Sequence, residues 1–504
     1  MIPASYISYL APEIFVTLGA MALLLAEAFL ELSPRTVAAW ALAGLAVCGI
    51  LTLSFDTTSA LFWGGMCKWD GAAKFFHVFF IVVAALVIWM GSEVQAPATH
   101  GGGEFVIFPL FTTAGLMLLA SSNDFILLFV ALELVTISFY ILVAYQRRSA
   151  VALEAGVKYL ILGALSSAFL VMGVAYIFGL TGFTRFDLLW LYLRDHPLPI
   201  GVAFGLLLVL TGVGFKIAMV PFHSWAPDVY EGAPNSITAF LSVGSKAGGL
   251  IILMRIVLGV FDQPSASAVW VPILTFAAIA SLLLGNLAAI PQRNLKRMLG
   301  YSSIGHTGFM LVAIIGASVS LSGRINPIAT APVTGQVAVI VYLITYLLAS
   351  FAAFIVLAVL ERRLPGLEIH HLAGLSQRSP LLAATFALAL VSMAGVPPLS
   401  GFIAKLFVVL VAWDRGLYTL LFFTIFAAVA AFYYYLGPIK AMYWSEPLDP
   451  TPIRVNRVTS GVLVVLIVLL LGTGFWANSM ATSVNHSTLA QTAPAGTPVA
   501  MAQH

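Results

Sequence analysis

Five ionisable residues stand in segments that are otherwise almost entirely apolar, and they are Glu133, Lys158, Lys216, Lys246 and Lys405. Each lies in an apolar run long enough to cross a bilayer. A charge at that depth costs about 3 kcal/mol or more, so such groups usually face a protein interior or a water-filled cavity and act there. Because burial makes an amine easier to deprotonate, these residue types indicate proton exchange.

Glu133 and Lys216 are the candidates for a switching pair. Glu133 is the carboxylate that lies nearest the middle of an apolar run, and Lys216 precedes Pro221 by five residues. Proline breaks a helix, so carbonyl groups and water near the break could receive a proton from Lys216. A nearby carboxylate stabilises the ammonium form of a lysine, and moving the two groups would switch proton binding. The alternative for Glu133 is a buried carboxylate that forms hydrogen bonds and serves only packing. The alternative for Lys216 is a side chain that extends to the membrane surface and places its ammonium there.

The other three lysines differ in how well their surroundings suit this chemistry. Lys246 lies among glycines and serines, which allow close helix contact and leave room for water. Lys405 follows Pro397 and Pro398 in a second interrupted run. Lys158 lies only about a turn and a half inside its apolar run. Of the four lysines it is therefore the one whose ammonium could most easily extend to the membrane surface.

His223 and His306 are secondary candidates. A neutral imidazole can relay protons near neutral pH, although a lone histidine in an apolar helix is more often a packing residue. The aromatic run at residues 432–435 is typical of lipid-facing or interfacial side chains.

Composition predicts an all-α polytopic membrane protein. Of the 504 residues, 61% are hydrophobic and 9% are charged, against about 25% charged in soluble domains. Cys48 and Cys67 are too few for a metal cluster or a disulfide framework. The sequence has no phosphate-binding glycine loop, no iron–sulfur cysteine spacing and no His-x-x-His pair, so we expect no cofactor or metal in this chain.

The apolar runs predict about fourteen membrane-spanning helices. We expect them to start near residues 8, 36, 73, 105, 124, 153, 199, 236, 267, 298, 335, 382, 416 and 458. Residues 183–195 predict a short helix at the membrane surface. The odd-numbered loops, Lys296 among them, are richer in lysine and arginine and should be cytoplasmic, which places both termini in the periplasm. Once the loops are assigned, only the four candidate lysines remain at depth.

Proline interrupts the seventh and twelfth predicted spans, five spans apart. Paired interruptions in two halves of a chain indicate an inverted repeat with its working site at the breaks. Residues 138–144 and 307–313 are similar and also fall five spans apart. We therefore predict a three-helix segment (1–104), a first five-helix repeat (105–260, helices 4–8), a second inverted repeat (261–445, helices 9–13), and a last helix with a polar tail (446–504).

Residues 216–234, KIAMVPFHSWAPDVYEGAP, carry a specific resemblance. They resemble the antiporter-like membrane subunits of respiratory complex I, and the form of the motif is similar to subunit N, the bacterial counterpart of mitochondrial subunit 2. Subunits L and M and the Mrp antiporter subunits share the His-x-Trp-x-Pro-Asp core. Residues 294–306 and 394–405 extend the resemblance, which covers essentially the whole chain.

The resemblance implies fourteen helices with two inverted five-helix repeats and a proton-translocating function. Glu133 matches the family's glutamate of helix 5, and Lys405 matches the lysine of helix 12. The lysines of helices 6, 7 and 8 match Lys158, Lys216 and Lys246. NADH, FMN, iron–sulfur clusters and quinone are expected in other subunits, and subunits M, K and J are the expected neighbours.

The resemblance, together with the charges in the apolar runs, implies a proton-translocating subunit of a type I NADH:quinone oxidoreductase in a bacterial inner membrane. Protons would move from the cytoplasm near Lys216 and Glu133, through Lys246 toward Lys405, and out to the periplasm. The alternatives are a stand-alone or Mrp-type cation/proton antiporter subunit and a structural membrane scaffold. Buried charges count against the scaffold.

Overall fold

The computed structural model describes residues 9–30, 32–56, 59–94, 102–318, 333–364, 366–447 and 449–475. Both chain termini and the polar tail after Ala481 lie outside these residues, so their predicted periplasmic location stays a prediction.

The described chain is a bundle of helices with one small hairpin. In chain order the helices are α1 (Ala11–Leu30), α2 (Pro34–Ser54), α3 (Gly71–Val94), α4 (Glu104–Ser121), α5 (Phe125–Val143), α6 (Ala150–Thr181), α7 (Phe186–Asp195), α8 (Ile200–Lys216), α9 (Trp225–Gly232), α10 (Asn235–Val260), α11 (Pro264–Ala289), α12 (Leu295–Ala317), α13 (Gly335–Glu361), α14 (Leu375–Arg378), α15 (Pro380–Ala394), α16 (Ser400–Asp414), α17 (Tyr418–Trp444) and α18 (Arg457–Phe475). Short 3₁₀ turns cover Trp63–Gly65 and Ile369–Leu372. Strands β1 (Ala60–Phe62) and β2 (Cys67–Trp69) pair antiparallel, with Leu61 opposite Lys68.

Twelve of the described helices are long and apolar enough to cross a membrane. Two further spans are broken, with α8 followed by α9 and α15 followed by α16. Counted together they make the fourteen spans that the sequence predicts, and each begins within three residues of its predicted start. The amphipathic helix α7 occupies the segment predicted to lie at the surface.

Polar residues fix where the central helices begin. Asp124 precedes α5 and accepts hydrogen bonds from the backbone nitrogens of Ile126 (2.7 Å) and Leu127 (3.3 Å). Asn294 caps α12 in the same way. Such caps satisfy donors that the first helical turn leaves free. They set the position of Glu133 on α5 and of His306 on α12.

Glycines allow the helices that surround the site to pack closely. A Cβ at Gly173 of α6 would lie 2.5 Å from the carbonyl oxygen of Gly205 on α8. A Cβ at Gly285 of α11 would lie 2.3 Å from the backbone nitrogen of Gly305 on α12. Neither position has room for a side chain, so these contacts bring backbone against backbone.

The two halves share a pattern of neighbours. Helix α4 packs on α5 as α11 packs on α12, and α6 packs on α8 as α13 packs on α15 and α16. This pattern is compatible with the predicted repeats, but the inversion and the domain boundaries stay predictions. Helices α12 and α13 are the most enclosed spans of the described chain, with 94% and 89% of their central windows buried. Polar groups on α12 therefore face protein and not lipid.

Candidate functional site

The first break lies between α8 and α9. Helix α8 ends at Lys216, and Ala218 follows in a left-handed conformation (φ +54°) that non-glycine residues rarely adopt. The indole of Trp225 donates to the carbonyl oxygen of Phe215 at 2.9 Å, and Thr307 of α12 donates to that of Ile217 at 2.7 Å. These carbonyls thus already have partners. Neither accepts a hydrogen bond from Lys216, and a role for carbonyl groups and water at this break stays a prediction.

Lys216 points instead toward α5. Its side chain is buried, and its Nζ donates a hydrogen bond to the hydroxyl of Thr136. Thr136 lies one helical turn beyond Glu133, and the Glu133 carboxylate acts electrostatically on the Lys216 ammonium. Glu133 is half-buried, accepts a hydrogen bond from Ser167 of α6 and forms no ion pair with Lys216. The two charges are therefore coupled through space without a direct contact.

Lys246 is buried on α10, which packs against the end of α8 at Lys216. It is 2% exposed, and its Nζ donates to the carbonyl oxygen of Ser303 at 2.5 Å and also to the Ser303 hydroxyl. A Cβ at Gly249, one turn further along α10, would lie 3.3 Å from the Cβ of Lys216, so α10 packs directly on the end of α8. Thr307 lies 3.2 Å from the carbonyl oxygen of Ser303. Thr307 and Ser303 therefore connect the first break to Lys246 along one face of α12.

His306 continues this line from Lys246. It is buried, and its Nδ1 and Nε2 lie 2.7 Å and 3.3 Å from the hydroxyls of Tyr342 and Tyr435. The ring of Tyr346 separates His306 from Lys246, with 4.8 Å between the His306 and Tyr346 ring centres and 5.4 Å from Nζ of Lys246 to the Tyr346 ring. His306, a secondary candidate by sequence, thus belongs to a buried polar layer, by which we mean Lys216, Lys246, Ser303, His306, Thr307, Tyr342, Lys405 and Tyr435.

The second break lies between α15 and α16 and contains Lys405. Gly395 turns the chain with φ +86°, a conformation that glycine adopts without strain. Lys405 is buried, and its Nζ donates to the carbonyl oxygen of Ala394, the last residue of α15, at 2.9 Å. Its Nζ also lies 4.8 Å from the ring centre of Phe309. A freed helix carbonyl is therefore used by a lysine at this break, not at the first.

A small cavity lies between the second break and His306. Its lining includes His306, Tyr342, Thr345, Ser392 and Lys405. Its volume is about 10 Å³, about the least space that one water molecule needs, and its surface is mostly apolar with polar side chains among the lining residues. His306 and Lys405 therefore face one shared space.

Lys158 lies apart from this layer. Its side chain is 42% exposed and forms ion pairs with Glu154 and Asp228, each at 2.7 Å. Asp228, the aspartate of the quoted motif, also pairs with Arg297 at 2.6 Å. These pairs join α6, α9 and α12 at one end of the bundle. A place for Lys158 in the proton path stays a prediction.

The structure does not bury the four candidate lysines equally, and it buries a fifth. The side chain of Lys158 is 42% exposed, and its depth in the membrane stays a prediction. Lys296, assigned to a cytoplasmic loop by sequence, is 4% exposed and donates to the carbonyl oxygen of Ala233 at 2.6 Å. Its position directly after the start of α12 turns it inward against α9 and α10. His223 lies in the turn between α8 and α9, half-buried, and has no hydrogen bond to any candidate lysine.

Sequence reasoning missed the tyrosines of the polar layer. The run at residues 432–435 is not uniformly lipid-facing, because Phe432 and Tyr433 are exposed whereas Tyr434 and Tyr435 are buried. The Tyr435 hydroxyl contacts Ser302 and His306. The signal in the sequence was that three of four aromatic residues carry hydroxyls, which prefer a polar partner when buried.

A second buried pair was also missed. Glu13 of α1 is 2% exposed, and its Oε1 lies 2.8 Å from Nε2 of the fully buried His77 on α3. The pair joins two N-terminal helices and has no hydrogen bond to Lys216, Lys246 or Lys405. Within the part of the chain that the structure describes, no group of three histidine, cysteine or acidic side chains could hold a metal ion.

Comparison with known proteins places this architecture in a family. Residues 122–431 match the family model described as NADH:quinone oxidoreductase/Mrp antiporter, TM. A relative from Rhizobium meliloti named NADH-quinone oxidoreductase subunit N 1 is 38% identical over 86% of this chain and 88% of the relative. The chain belongs to the subunit N family of NADH-quinone oxidoreductases. It is therefore a multi-pass membrane protein of a family that functions within a multi-subunit complex.

Solved structures show the same fold. A chain of respiratory complex I from Thermus thermophilus with bound aureothin is 29% identical, with a TM-score of 0.77 over 94% of this chain and 99% of that one. A chain of the Mrp complex from Dietzia has a TM-score of 0.81 over 95% of this chain and 96% of that one, at 20% identity. The second likeness shows the fold alone, which antiporters and complex I subunits share.

Proposed function

We propose that the chain translocates protons as a membrane subunit of a type I NADH:quinone oxidoreductase, driven by quinone reduction elsewhere in the complex. The observation that carries this proposal is that Lys216, Lys246 and Lys405 are all buried around α12. Lys246 donates to Ser303 of α12, Thr307 of α12 donates to the carbonyl oxygen next to Lys216, and Lys405 lies over the ring of Phe309 of α12. None of the three forms an ion pair within the described structure. Unpaired buried ammonium groups destabilise a scaffold but suit sites that gain and lose protons.

Proton uptake would occur from the cytoplasm at the first break. Lys216 would hold the proton while the Glu133 carboxylate stabilises its ammonium form. The hydrogen bond to Thr136 keeps the Lys216 side chain at the level of Glu133. His223, in the turn beside this break, is a secondary relay on the same side, and Lys158 marks the rim of the bundle near Asp228.

Transfer would then run laterally through the interior. Lys246 would receive the proton beside Ser303 and pass it past His306 toward Lys405. Water must fill the gaps, because no two of the buried lysines touch and the aromatic rings of Tyr346 and Phe309 lie between them. Release to the periplasm would occur from Lys405 at the second break.

The electron-transfer chemistry would belong to other subunits. This chain would carry no redox centre, and NADH, FMN, iron–sulfur clusters and quinone would be bound elsewhere in the complex. Subunit M and small subunits such as K and J would be its neighbours. The complex would reside in a bacterial inner membrane with both termini of this chain in the periplasm.

The rival function, a stand-alone or Mrp-type cation/proton antiporter, is less well supported. The fold is common to both classes, but relatives at 34–40% identity are named for subunit N. An affinity tag on this chain provides the test. We expect purification from native membranes to bring NADH:quinone reductase activity and, after reconstitution into liposomes, quinone-dependent proton uptake. Purification of the chain without redox subunits, with cation/proton exchange in liposomes, would support the antiporter instead.

A further inference from the structure

Two tyrosine hydroxyls flank the imidazole of His306, and they differ in their surroundings. The Tyr342 hydroxyl lies 2.7 Å from Nδ1, a full hydrogen bond, whereas the Tyr435 hydroxyl lies 3.3 Å from Nε2 and is also engaged by Ser302. Tyr342 is 2% exposed and Tyr435 is 1% exposed. The contact of His306 with Tyr342 is therefore the shorter of the two, and the Tyr342 hydroxyl, unlike that of Tyr435, is not shared with Ser302.

Tyr342 also lines the small cavity that contains Lys405. The cavity wall includes Tyr342 and Lys405 together with the polar groups of Thr345 and Ser392. A water molecule in this space would meet several polar partners, as buried waters require. Tyr342 therefore contacts His306 through its hydroxyl and also lines the space in front of Lys405.

We propose that Tyr342 is a relay residue that passes protons between His306 and the water in front of Lys405, an inference that rests on the proposed function. In the transfer, the Tyr342 hydroxyl gives its proton to one partner and takes a proton from the other. One O–H bond breaks and one forms, and the tyrosine ends neutral. When Nδ1 of His306 accepts the hydroxyl proton, Tyr342 takes a proton from the cavity water. When Nδ1 of His306 donates a proton to Tyr342, the hydroxyl gives its own proton to the cavity water.

The ring of Tyr342 has a separate, structural role. It stacks on Phe309 with ring centres 6.1 Å apart and 26° between the planes. Phe309 in turn lies under the Lys405 ammonium. Phenylalanine at position 342 would keep this packing and remove only the hydroxyl, so Tyr342→Phe separates the relay from the scaffold.

The test is Tyr342→Phe in the whole complex, with Tyr434→Phe as the matched control. Tyr434 is also buried, but its hydroxyl donates to Asn286 at 3.2 Å and not to His306. We expect Tyr342→Phe to lower coupled quinone reductase turnover about tenfold, which is less than the roughly 100-fold or more typical of a lost proton-transfer group, because water can partly replace the hydroxyl. We also expect a larger ratio of turnover in H₂O to turnover in D₂O, since proton transfer becomes rate-limiting. Tyr434→Phe should leave the isotope ratio unchanged and lower turnover less than Tyr342→Phe does.

Lys405→Ala separates failure of this inference from failure of the proposed function. If Lys405→Ala stops pumping while Tyr342→Phe pumps and shows an isotope ratio like wild type, Tyr342 is not a relay and the proposed function stands. If Tyr342→Phe slows turnover with an unchanged isotope ratio, the hydroxyl is structural and the inference is overturned. If Lys405→Ala pumps normally, the proposed function itself fails.

Discussion

The two breaks differ in where their lysine lies. At the first break the lysine is the last residue of the helix before the break, whereas at the second break it lies in the helix after the break. Lys216 is the last residue of α8 and donates to a threonine on a neighbouring helix, with the Glu133 carboxylate in electrostatic range. Lys405 lies in α16 and donates back to the carbonyl oxygen of Ala394 at the end of α15. The first site thus combines a lysine with an acid, and the second combines a lysine with a helix end and a water-sized cavity.

This difference indicates a division of roles. A site with a nearby carboxylate can be switched by a small movement of one charge relative to the other. The lysine at the second break has a neutral carbonyl as its partner, which also interacts favourably with a cation at a helix C-terminus. We therefore assign control of proton uptake to the first break and release to the second, with Lys246 and His306 between them.

Removal of either terminal lysine should have the largest effect. We expect Lys216→Ala and Lys405→Ala each to reduce pumping and coupled quinone reductase turnover by about a hundredfold, at the low end of the range for proton-transfer groups, while the complex still assembles. Lys216→Arg should restore only part of the activity, because arginine does not release its proton in a protein. The measurement is turnover and proton uptake in membranes whose subunit content matches wild type. Wild-type values in both assays would remove the lysine concerned from the path.

Changes at Glu133 should have an intermediate effect that is confined to the first break. Glu133→Gln removes the charge and should cost more activity than Glu133→Asp, which keeps it. Ser167→Ala is the matched control, because it removes the hydrogen bond to Glu133 and leaves the charge in place. The measurement is the rate of coupled turnover for the three variants. Equal activity for Glu133→Gln and Glu133→Asp would show that charge coupling at the first break is not used.

The smallest effect is expected for Lys158. Partly exposed ion pairs contribute little, about 0.2–1 kcal/mol, to stability. Lys158→Ala should therefore lower the thermal stability of the complex slightly and leave more activity than Lys216→Ala, since Asp228 retains Arg297 as a partner. Turnover and melting temperature are the measurements. A loss of pumping as complete as that of Lys216→Ala would put Lys158 in the path, as the family resemblance implies.

The sequence predicted the helices and helix breaks around this site better than the side chains that fill it. Long apolar runs and prolines have strong local signatures, so the spans, both breaks and the positions of Lys216 and Lys405 relative to them were predicted. The burial of the aromatic residues was not predicted. In a helix that is hydrophobic on all sides, the sequence does not show which face packs against protein. Tyr433 and Tyr435 look alike in the sequence but lie on opposite faces of α17. The burial of Lys296 and the ion pair of Lys158 with Asp228 depend on contacts between distant helices, which local patterns do not encode.

The central claim is that the two breaks form one path, and Lys246 is the residue between them. Lys246→Met keeps much of the side-chain volume and removes the ammonium without leaving a buried charge unpaired. The most direct measurement is the number of protons pumped per NADH oxidised, together with the turnover rate, in reconstituted complex with normal subunit content. We expect turnover to fall sharply and the pumping ratio to drop, because a proton held at Lys216 can no longer reach Lys405. A wild-type ratio at a wild-type rate would contradict the account and would mean that each break works as a separate channel.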